Sequence, residues 1–184
     1  YFFPYIGYFQ LINAVDKFVF YDDVNFIKNG WINRNRILVN SNPVYISIQL
    51  KNASPFKLIN QVEFIDNRAK IAKTIQLAYK KAPYFEKGWP VVCNVLNYQT
   101  ERISELAIKS VMEVSQYIGI NAEFEMSSQK YPDSKRLERT ERIKTICKRN
   151  NARDYFNPSG GVGLYAKEVF KMDGIDLHFI NRSE

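Results

Sequence analysis

The chain has 184 residues, of which 46% are hydrophobic and 24% are charged. This composition excludes an intrinsically disordered chain and is sufficient for a single globular domain with a buried core. The formal net charge of +7 favours an anionic partner. Because the basic residues are spread along the chain without a recognisable nucleic-acid module, we expect a phosphorylated or anionic small molecule and no specific nucleic acid.

Two further features narrow the class of protein. The only cysteines, Cys93 and Cys147, are too few and too isolated for a disulfide framework or a zinc site. No run of about 18 apolar residues occurs, and no signal-peptide pattern is visible. We therefore expect no membrane span and a cytoplasmic location, while the sequence favours no particular oligomeric state.

The first predicted elements are a loop that contains Pro4 and Gly7 and a helix at Tyr8–Val15. A short aromatic strand follows, and then a hairpin with an Asn-Ser-Asn-Pro turn. Apolar residues at helical spacing then predict a helical middle segment, at about residues 68–118, that we interpret as scaffold. The predicted strands are Phe18–Tyr21, Ile37–Val39, Val44–Leu50 and Gln61–Ile65, and the helices are Arg68–Lys80, a helix opening at Trp89-Pro90, and Thr100–Ile118.

The last third alternates strands with helices, which is typical of α/β proteins. Its predicted elements are the strand Ala122–Met126, the helix Lys135–Asn150, the strand Asp154–Asn157, the helix Gly163–Phe170 and the strand Ile175–Ile180. We predict one α/β domain over residues 1–184, with a central mixed sheet flanked by helices.

Polar side chains are concentrated directly after the predicted strand Phe18–Tyr21. Paired carboxylates at the end of a buried strand commonly lie at the carboxyl edge of a sheet, where open α/β folds bind ligands. Asp22 and Asp23 are therefore the candidate catalytic residues, although two acids alone more often begin a turn. Mg²⁺ is compatible with these acids, but no metal-binding motif accompanies them. The candidates for substrate and anion binding in this loop are Lys28, Trp31, Asn33, Arg34 and Arg36.

Later segments add candidate anion-binding groups. On the predicted helix Lys135–Asn150, Arg136 projects toward the apolar face and Arg142 lies on its flank, and each could equally extend to water. The small residues of the following strand-to-helix turn allow a ligand to approach the backbone, a plain glycine-rich turn being the alternative. The candidates in that turn are Asn157, Ser159, Gly160 and Gly161.

These candidates lead to three expectations about geometry. If they share one pocket, Arg34 and Arg36 should converge with the turn at residues 159–161. Asp22 and Asp23 are adjacent and should point to opposite sides, so that at most one faces the pocket. His178, the only histidine, faces away from the apolar set of its strand, which favours a satisfied or exposed side chain over a catalytic one.

Several motifs resemble those of the bacterial WbqC-like family in their expected order. They are PYIGYF, FVFYDD, WINRNRI, RIKTIC, DYFNPSGGVGLY and GIDLHF, and the resemblance covers essentially the whole chain. Members usually begin with a short strand ending in Gln-Pro and end with an aromatic-rich tail. Neither is present here, so we expect a chain trimmed at both ends.

A weaker resemblance is to nucleotidyltransferases that carry a His-x-Gly-His signature after their first strand. The segment from Pro4 through Gly7, the helix and the strand ending at Asp22 are similar to the early layout of that fold. The histidines are missing, and Tyr8 and its aromatic neighbours occupy that region. Tyr8 is therefore included among the candidate substrate-binding residues.

The resemblance to the WbqC-like family implies a role linked to O-antigen and other surface-polysaccharide gene clusters, including lipopolysaccharide. It implies a group transferase, with amino-acyl (glycyl) transfer as one suggestion, acting on a sugar or sugar-nucleotide intermediate. Two alternatives stay open: a nucleotidyltransferase-like enzyme, and a non-catalytic binding or scaffold module of the same pathway.

Overall fold

The computed structural model describes residues 1–180 and has the predicted α/β class. Its α-helices are α1 (Ile6–Asn13), α2 (Arg68–Tyr79), α3 (Phe85–Leu96), α4 (Ile103–Tyr117), α5 (Ser127–Lys130), α6 (Arg139–Arg149) and α7 (Lys167–Lys171). Its strands are β1 (Lys17–Phe20), β2 (Arg34–Val39), β3 (Asn42–Ser47), β4 (Gln49–Lys51), β5 (Glu63–Ile65), β6 (Glu123–Met126), β7 (Asp154–Pro158) and β8 (Asp176–Ile180). Short 3-10 helices lie at Ile59–Gln61, Pro132–Arg136 and Ser159–Gly161.

The chain divides into two compact units. Unit 1 contains Tyr1–Pro4 and Asp22–Ile120, and unit 2 contains Tyr5–Tyr21 and the chain from Asn121 onward. The described strands pair as two-stranded ladders: β2–β3 and β4–β5 are antiparallel in unit 1, and β1–β6 and β7–β8 are parallel in unit 2. The α/β class is confirmed, but the parallel and antiparallel pairs lie in separate two-stranded sheets rather than in the predicted central mixed sheet, and each kind of pairing is confined to one unit. The expectation of a single domain stays a prediction.

The predicted hairpin of unit 1 is formed by β2 and β3. Its turn residues, Asn40 and Ser41, have φ values of 49° and 65°, and type I′ turns require positive φ at both central positions. The alternation predicted to continue through residue 50 is interrupted after Ser47. There the Ile48 amide donates to the Asn33 carbonyl at 2.8 Å, and the chain continues as β4, which pairs with β5.

The core of unit 1 lies between these ladders and the helical segment α2–α4. Its fully buried side chains are Phe2, Ile48, Val62, Val95, Ile103 and Leu106. Each such side chain contributes about 1.5–3 kcal/mol through burial. The predicted helices are present, but α3 begins at Phe85, one turn before Trp89-Pro90. The rings of Phe85 and Trp89 stack at 5.3 Å, an i,i+4 contact that stabilises this extra turn.

Unit 2 has two groups of packed apolar side chains. Around β1 and β6, the rings of Phe18, Phe20 and Phe124 lie 5.2–6.3 Å apart. Around α6, α7 and β8, the buried cluster consists of Ile143, Cys147, Phe170, Ile175 and Leu177. Burial raises the pKa of the Cys147 thiol to about 11, which agrees with a core role for this cysteine.

The predicted start of the helix around Arg142 is wrong. α6 begins at Arg139 rather than Lys135, because Pro132 opens a separate 3-10 helix and Glu138 caps α6 by accepting a 2.9 Å hydrogen bond from the Thr140 amide. Arg136 therefore ends the 3-10 helix as an exposed residue and does not lie on the apolar face of α6.

The predicted helix Gly163–Phe170 is also shorter in the structure. Only Lys167–Lys171 is α-helical, after the 3-10 helix Ser159–Gly161. The Val162 and Leu164 side chains between them are each 57% exposed. Because these side chains are not buried, packing does not stabilise an earlier start of the helix.

Candidate functional site

The loop after β1 begins with the two candidate acids. Asp22 and Asp23 are only 7% and 4% exposed, so neither is a solvated turn residue. Asn60 fixes Asp22: its amide nitrogen donates to the Asp22 carbonyl at 3.0 Å, and its side-chain Nδ2 lies 3.4 Å from Asp22 Oδ2. Burial of a carboxylate is costly unless it is paired or hydrogen-bonded, so both positions are strongly specified by the fold. Which acid faces a ligand stays a prediction.

Further along the loop, Arg34 closes a turn. Asn29 has φ of 59°, and its carbonyl accepts a hydrogen bond from a terminal guanidinium nitrogen of Arg34. Arg34 Nε donates to the Gly30 carbonyl at 3.1 Å. Lys28 is exposed in this turn. Arg34 is thus held by the backbone of the loop that precedes its own strand.

Trp31, Arg34, Arg36 and Tyr45 form an arginine–aromatic cluster on the hairpin. The Trp31 and Tyr45 rings stack with centroids 6.2 Å apart and planes 24° apart. The Arg34 guanidinium carbon lies 5.6 Å from the Trp31 ring and 5.0 Å from the Tyr45 ring. The corresponding distances for Arg36 are 5.6 and 6.0 Å. Such cation–π contacts stabilise exposed sites by roughly 0.5–1 kcal/mol each.

The strand period explains why these side chains meet. Arg34 and Arg36 are two residues apart on β2, and Arg36 lies opposite Tyr45 on β3, so all three share a face. The other face carries Ile37 and Ile46 toward the core of unit 1. Both arginines and Trp31 were candidates from the sequence, whereas Tyr45 was not, although the alternation along the predicted hairpin was a signal for it.

The amides near the cluster bind backbone groups of unit 1. Asn33 Nδ2 donates to the Ile48 carbonyl at 2.9 Å, and Asn35 Nδ2 donates to the carbonyls of Phe2, at 3.1 Å, and Phe3. These contacts give Asn33 and Asn35 a structural role at the ends of the hairpin. A ligand contact from Asn33 stays a prediction.

Within the described part of the chain, no carboxylate pairs with the arginines of the arginine–aromatic cluster. Among residues 1–180, no ion pair involves Arg34 or Arg36. By contrast, Arg68 and Arg149 bind Asp66 and Asp133, and the hydrogen bonds from these arginines lower the pKa of each aspartate to about 2. The cluster therefore combines two cations with two stacked rings, a chemistry suited to a phosphate joined to a planar group.

In unit 2, the turn after β7 brings together Asn157 and Gly161. A Cβ atom at Gly161 would lie 2.9 Å from Asn157 Oδ1, whereas one at Gly160 would meet nothing within 4 Å. Asn157 Nδ2 also lies 3.2 Å from the Tyr155 hydroxyl. Ser159 and Gly160 are exposed. This turn belongs to unit 2 and the arginine–aromatic cluster to unit 1, so their convergence stays a prediction.

The remaining candidates lie in three different environments of unit 2. Arg142 is buried at 4% exposure, its guanidinium carbon lies 4.4 Å from the Tyr21 ring centroid, and its Nε donates to Ser134 Oγ at 3.1 Å. Tyr8 packs its ring edge against Phe18 at 5.5 Å. Arg136 is exposed, as described above. Of the two alternatives for Arg142, extension to water is wrong, because its side chain is buried.

Unit 2 contains a buried polar network that was not predicted from the sequence. Glu125 accepts hydrogen bonds from Lys17 Nζ at 2.9 Å and from the Tyr131 hydroxyl, which in turn accepts one from Asn150 at 2.6 Å. Burial raises the pKa of Glu125, but the hydrogen bonds from Tyr131 and Lys17 outweigh burial, and the net pKa lies below the usual value. Alternation along β6 gave no signal for this network, because a glutamate in a short strand is typical of an exposed position.

Among residues 1–180, no group of three or more His, Cys, Asp or Glu side chains is arranged to hold a metal ion. Within the same range, none of the helices has both the length and the apolar character needed to cross a membrane.

These features define an α/β protein whose strand β1 leads into buried acids and an arginine-bearing hairpin. The model of the WbqC-like protein family matches residues 1–184, and the chain belongs to this family. It is also similar to the uncharacterized protein Rv1507c of Mycobacterium tuberculosis, with 27% identity over 175 residues, 91% of this chain and 73% of the relative. No solved structure is significantly similar to the chain.

Proposed function

We propose that this protein is a group transferase acting on a sugar or sugar-nucleotide intermediate of bacterial surface-polysaccharide (O-antigen) biosynthesis, with an amino-acyl group such as glycyl as the candidate group transferred. The observation that carries the proposal is the arginine–aromatic cluster. It offers stacked rings and two guanidinium groups free of ion pairs among the described residues. The family resemblance supports the choice of pathway.

A nucleotide is the ligand class that uses both parts of the cluster. A planar base would stack on Trp31, which is 36% exposed, and the guanidinium fork of Arg36 would bind the phosphates. Arg34, already bound to the carbonyls of Asn29 and Gly30, would hold the loop in place and contribute its charge.

In the proposed chemistry, Asp22 or Asp23 accepts the proton from the acceptor's amine or hydroxyl as that group attacks the donor. The new bond to the acyl carbon forms as the bond from that carbon to the donor's leaving group breaks, and the arginines hold the phosphates of the sugar-nucleotide substrate. The burial of both acids supports this role over that of a solvated turn.

Calorimetric titration with UDP, and with uridine for comparison, tests the ligand class. We expect UDP to bind more tightly than uridine, because only UDP carries phosphates for Arg36. Trp31→Ala should weaken both ligands about tenfold to a hundredfold, since stacking on a base is worth roughly 1–3 kcal/mol. Arg36→Lys should weaken UDP alone, because lysine lacks the two-pronged guanidinium. Arg34→Lys should weaken UDP less, since its donors already bind the loop.

The matched controls are Phe56→Ala and Arg153→Lys, which change exposed residues outside the cluster. Equal affinity for UDP and uridine, or equal losses in the control variants, would contradict the proposed ligand. Binding of nucleotides without turnover of any sugar nucleotide would favour the scaffold module. Release of pyrophosphate from a nucleoside triphosphate would favour the nucleotidyltransferase-like alternative.

A further inference from the structure

An open pocket of about 520 Å³, lined by both charged and apolar side chains, lies within unit 2, between α7 and β8. Its walls are formed by α7, by the residue just after that helix and by β8: Lys167, Glu168, Lys171, Met172, Asp176, Leu177 and His178. Its volume is within the range of about 300–1,000 Å³ that is typical of small-molecule sites. None of these residues belongs to the site described above.

His178 is held in one orientation at this cavity. Its ring stacks on Phe156 with centroids 4.8 Å apart and planes 20° apart, and its Nε2 lies 2.7 Å from Asp154 Oδ1. In a neutral imidazole one ring nitrogen donates and the other accepts, so the tautomer that donates from Nε2 to Asp154 presents Nδ1 as an acceptor. The sequence offered no partner for His178. The parallel register of β7 and β8 supplies both Phe156 and Asp154.

The cavity presents donors and acceptors whose charges balance. Lys167 and Lys171 supply two positive charges, and Glu168 and Asp176 supply two negative ones. Lys171 Nζ lies 2.6 Å from Asp176 Oδ1, and this hydrogen bond lowers the pKa of Asp176. A charged ligand would meet attraction and repulsion of similar size here, whereas a neutral ligand with several hydroxyl groups would use the remaining donors and acceptors of each group.

We propose that this cavity binds a neutral, polyhydroxylated small molecule such as a saccharide, with a hydroxyl group donating a hydrogen bond to His178 Nδ1. The remaining N–H groups of Lys171 and the second oxygen of Asp176 pair with neighbouring hydroxyls, and Met172 covers the carbon face of the ring. Saccharide binding at this pocket does not rest on the proposed function.

The single histidine makes the test direct, because the imidazole nitrogen resonances of the full chain belong to His178 alone. We would titrate the protein with methyl α-D-glucopyranoside and with two charged sugars of the same ring size, glucuronate and glucosamine. We expect the Nδ1 resonance to shift to saturation as the sugar is added, while the ring proton stays on Nε2. We also expect the neutral sugar to bind most tightly. No saturable shift with any of the three sugars, or tighter binding of a charged one, would overturn the proposal.

Two variants complete the test, with binding followed at the Met172 methyl resonance. His178→Phe keeps a ring to stack on Phe156 but removes the acceptor, and Lys171→Met removes the donor. Each should weaken the neutral sugar about tenfold, which is the effect of losing one hydrogen bond to a charged or polar partner. Lys135→Met, an exposed lysine of the same unit outside the cavity, should bind as the unmodified protein does. Equal affinities in all three variants would refute the site.

The outcome is separable from that of the proposed function. If the unmodified protein does not bind nucleotides but does bind sugar at His178, only the proposed function is contradicted. The reverse result would contradict only the saccharide site.

Discussion

Arg34 and Arg36 show how neighbouring copies of one side chain take different roles. Both lie over the rings of Trp31 and Tyr45 on the same face of β2. Arg34 donates to the carbonyls of Asn29 and Gly30, whereas no hydrogen bond within residues 1–180 involves the guanidinium of Arg36. Arg36, which is also exposed, therefore retains all of its donors for a ligand, and Arg34 shapes the loop.

The acids allow a test of the chemistry at the same scale. Once a substrate is identified, Asp22→Asn or Asp23→Asn should reduce turnover by roughly 10²–10⁴, because asparagine keeps the shape but lacks the basicity of a general base. Ligand affinity should change little, and thermal unfolding should confirm that the variant is folded. Steady-state kinetics give the measurement.

Asp16→Asn is the matched control, since Asp16 is an exposed aspartate just before β1. It should leave turnover unchanged. The decisive comparison is between the two acids, because only the one that faces the substrate should show the full loss. Unchanged turnover in both variants would end the proposed chemistry and favour the scaffold module.

At the scale of elements, the β2–β3 turn holds Ser41 in a backbone conformation that is unfavourable for residues other than glycine. Ser41 has φ of 65°, and a non-glycine residue in the left-handed region costs roughly 1–2 kcal/mol. Ser41→Gly should therefore stabilise unit 1 by about 0.5–1 kcal/mol, the gain being reduced by the greater entropy of glycine in the unfolded chain. Urea-induced unfolding gives the free energy. Ser41→Ala retains the strain, so an equal effect of Gly and Ala would contradict the turn geometry.

The same hairpin shows what could be predicted from the sequence. Its turn and apolar face were predictable because Asn-Ser-Asn-Pro and the alternation at residues 44–48 are local patterns. The start of β2 at Arg34 was not, because two arginines do not indicate a strand until Ser47 and Tyr45 are known to pair with them. Local patterns thus predict the existence of elements, and pairing sets their ends.

In the candidate site, too, local patterns identify the residues, while long-range contacts determine their environment. The sequence identified the acids and arginines by residue type, but their burial depends on distant partners: Asn60 for Asp22, and Tyr21 with Ser134 for Arg142. Likewise, Glu125 is buried because Lys17 and Tyr131 neutralise and satisfy it. The hydrophobic periodicity of a single segment does not show which distant residues will pair with its polar side chains.

At the scale of the whole molecule, the positive charge is unevenly compensated. The net charge of +7 coexists with ion pairs in both units, such as Arg68–Asp66 in unit 1 and Arg149–Asp133 in unit 2. Exposed pairs of this kind contribute about 0–1 kcal/mol and weaken with salt. The buried Lys17–Glu125 pair is different, because the Glu125 side chain is only 7% exposed. We therefore expect it to contribute to the acid sensitivity of unit 2.

The substitution Glu125→Gln tests the contribution of the Lys17–Glu125 pair to acid sensitivity. At neutral pH this change should destabilise the protein by about 1–3 kcal/mol, because it removes the charged acceptor of Lys17 and Tyr131. The folded-state pKa of Glu125 lies below its usual 4.5, so the stabilisation by this carboxylate is present above that pH and is lost as the pH falls through the folded-state pKa. The difference in unfolding free energy between the two proteins should therefore shrink below pH 4.5.

Urea unfolding across this pH range measures the difference, and Glu123→Gln is the control. Glu123 also lies near Lys17 Nζ, at 3.4 Å, but its side chain is 63% exposed. Solvent screens this pair, so its loss should change stability little at any pH. A destabilisation by Glu125→Gln that stays constant through the acid range would mean that the charge of Glu125 is not what stabilises the network. The contribution would then come from packing and neutral hydrogen bonds, which glutamine disturbs equally at every pH.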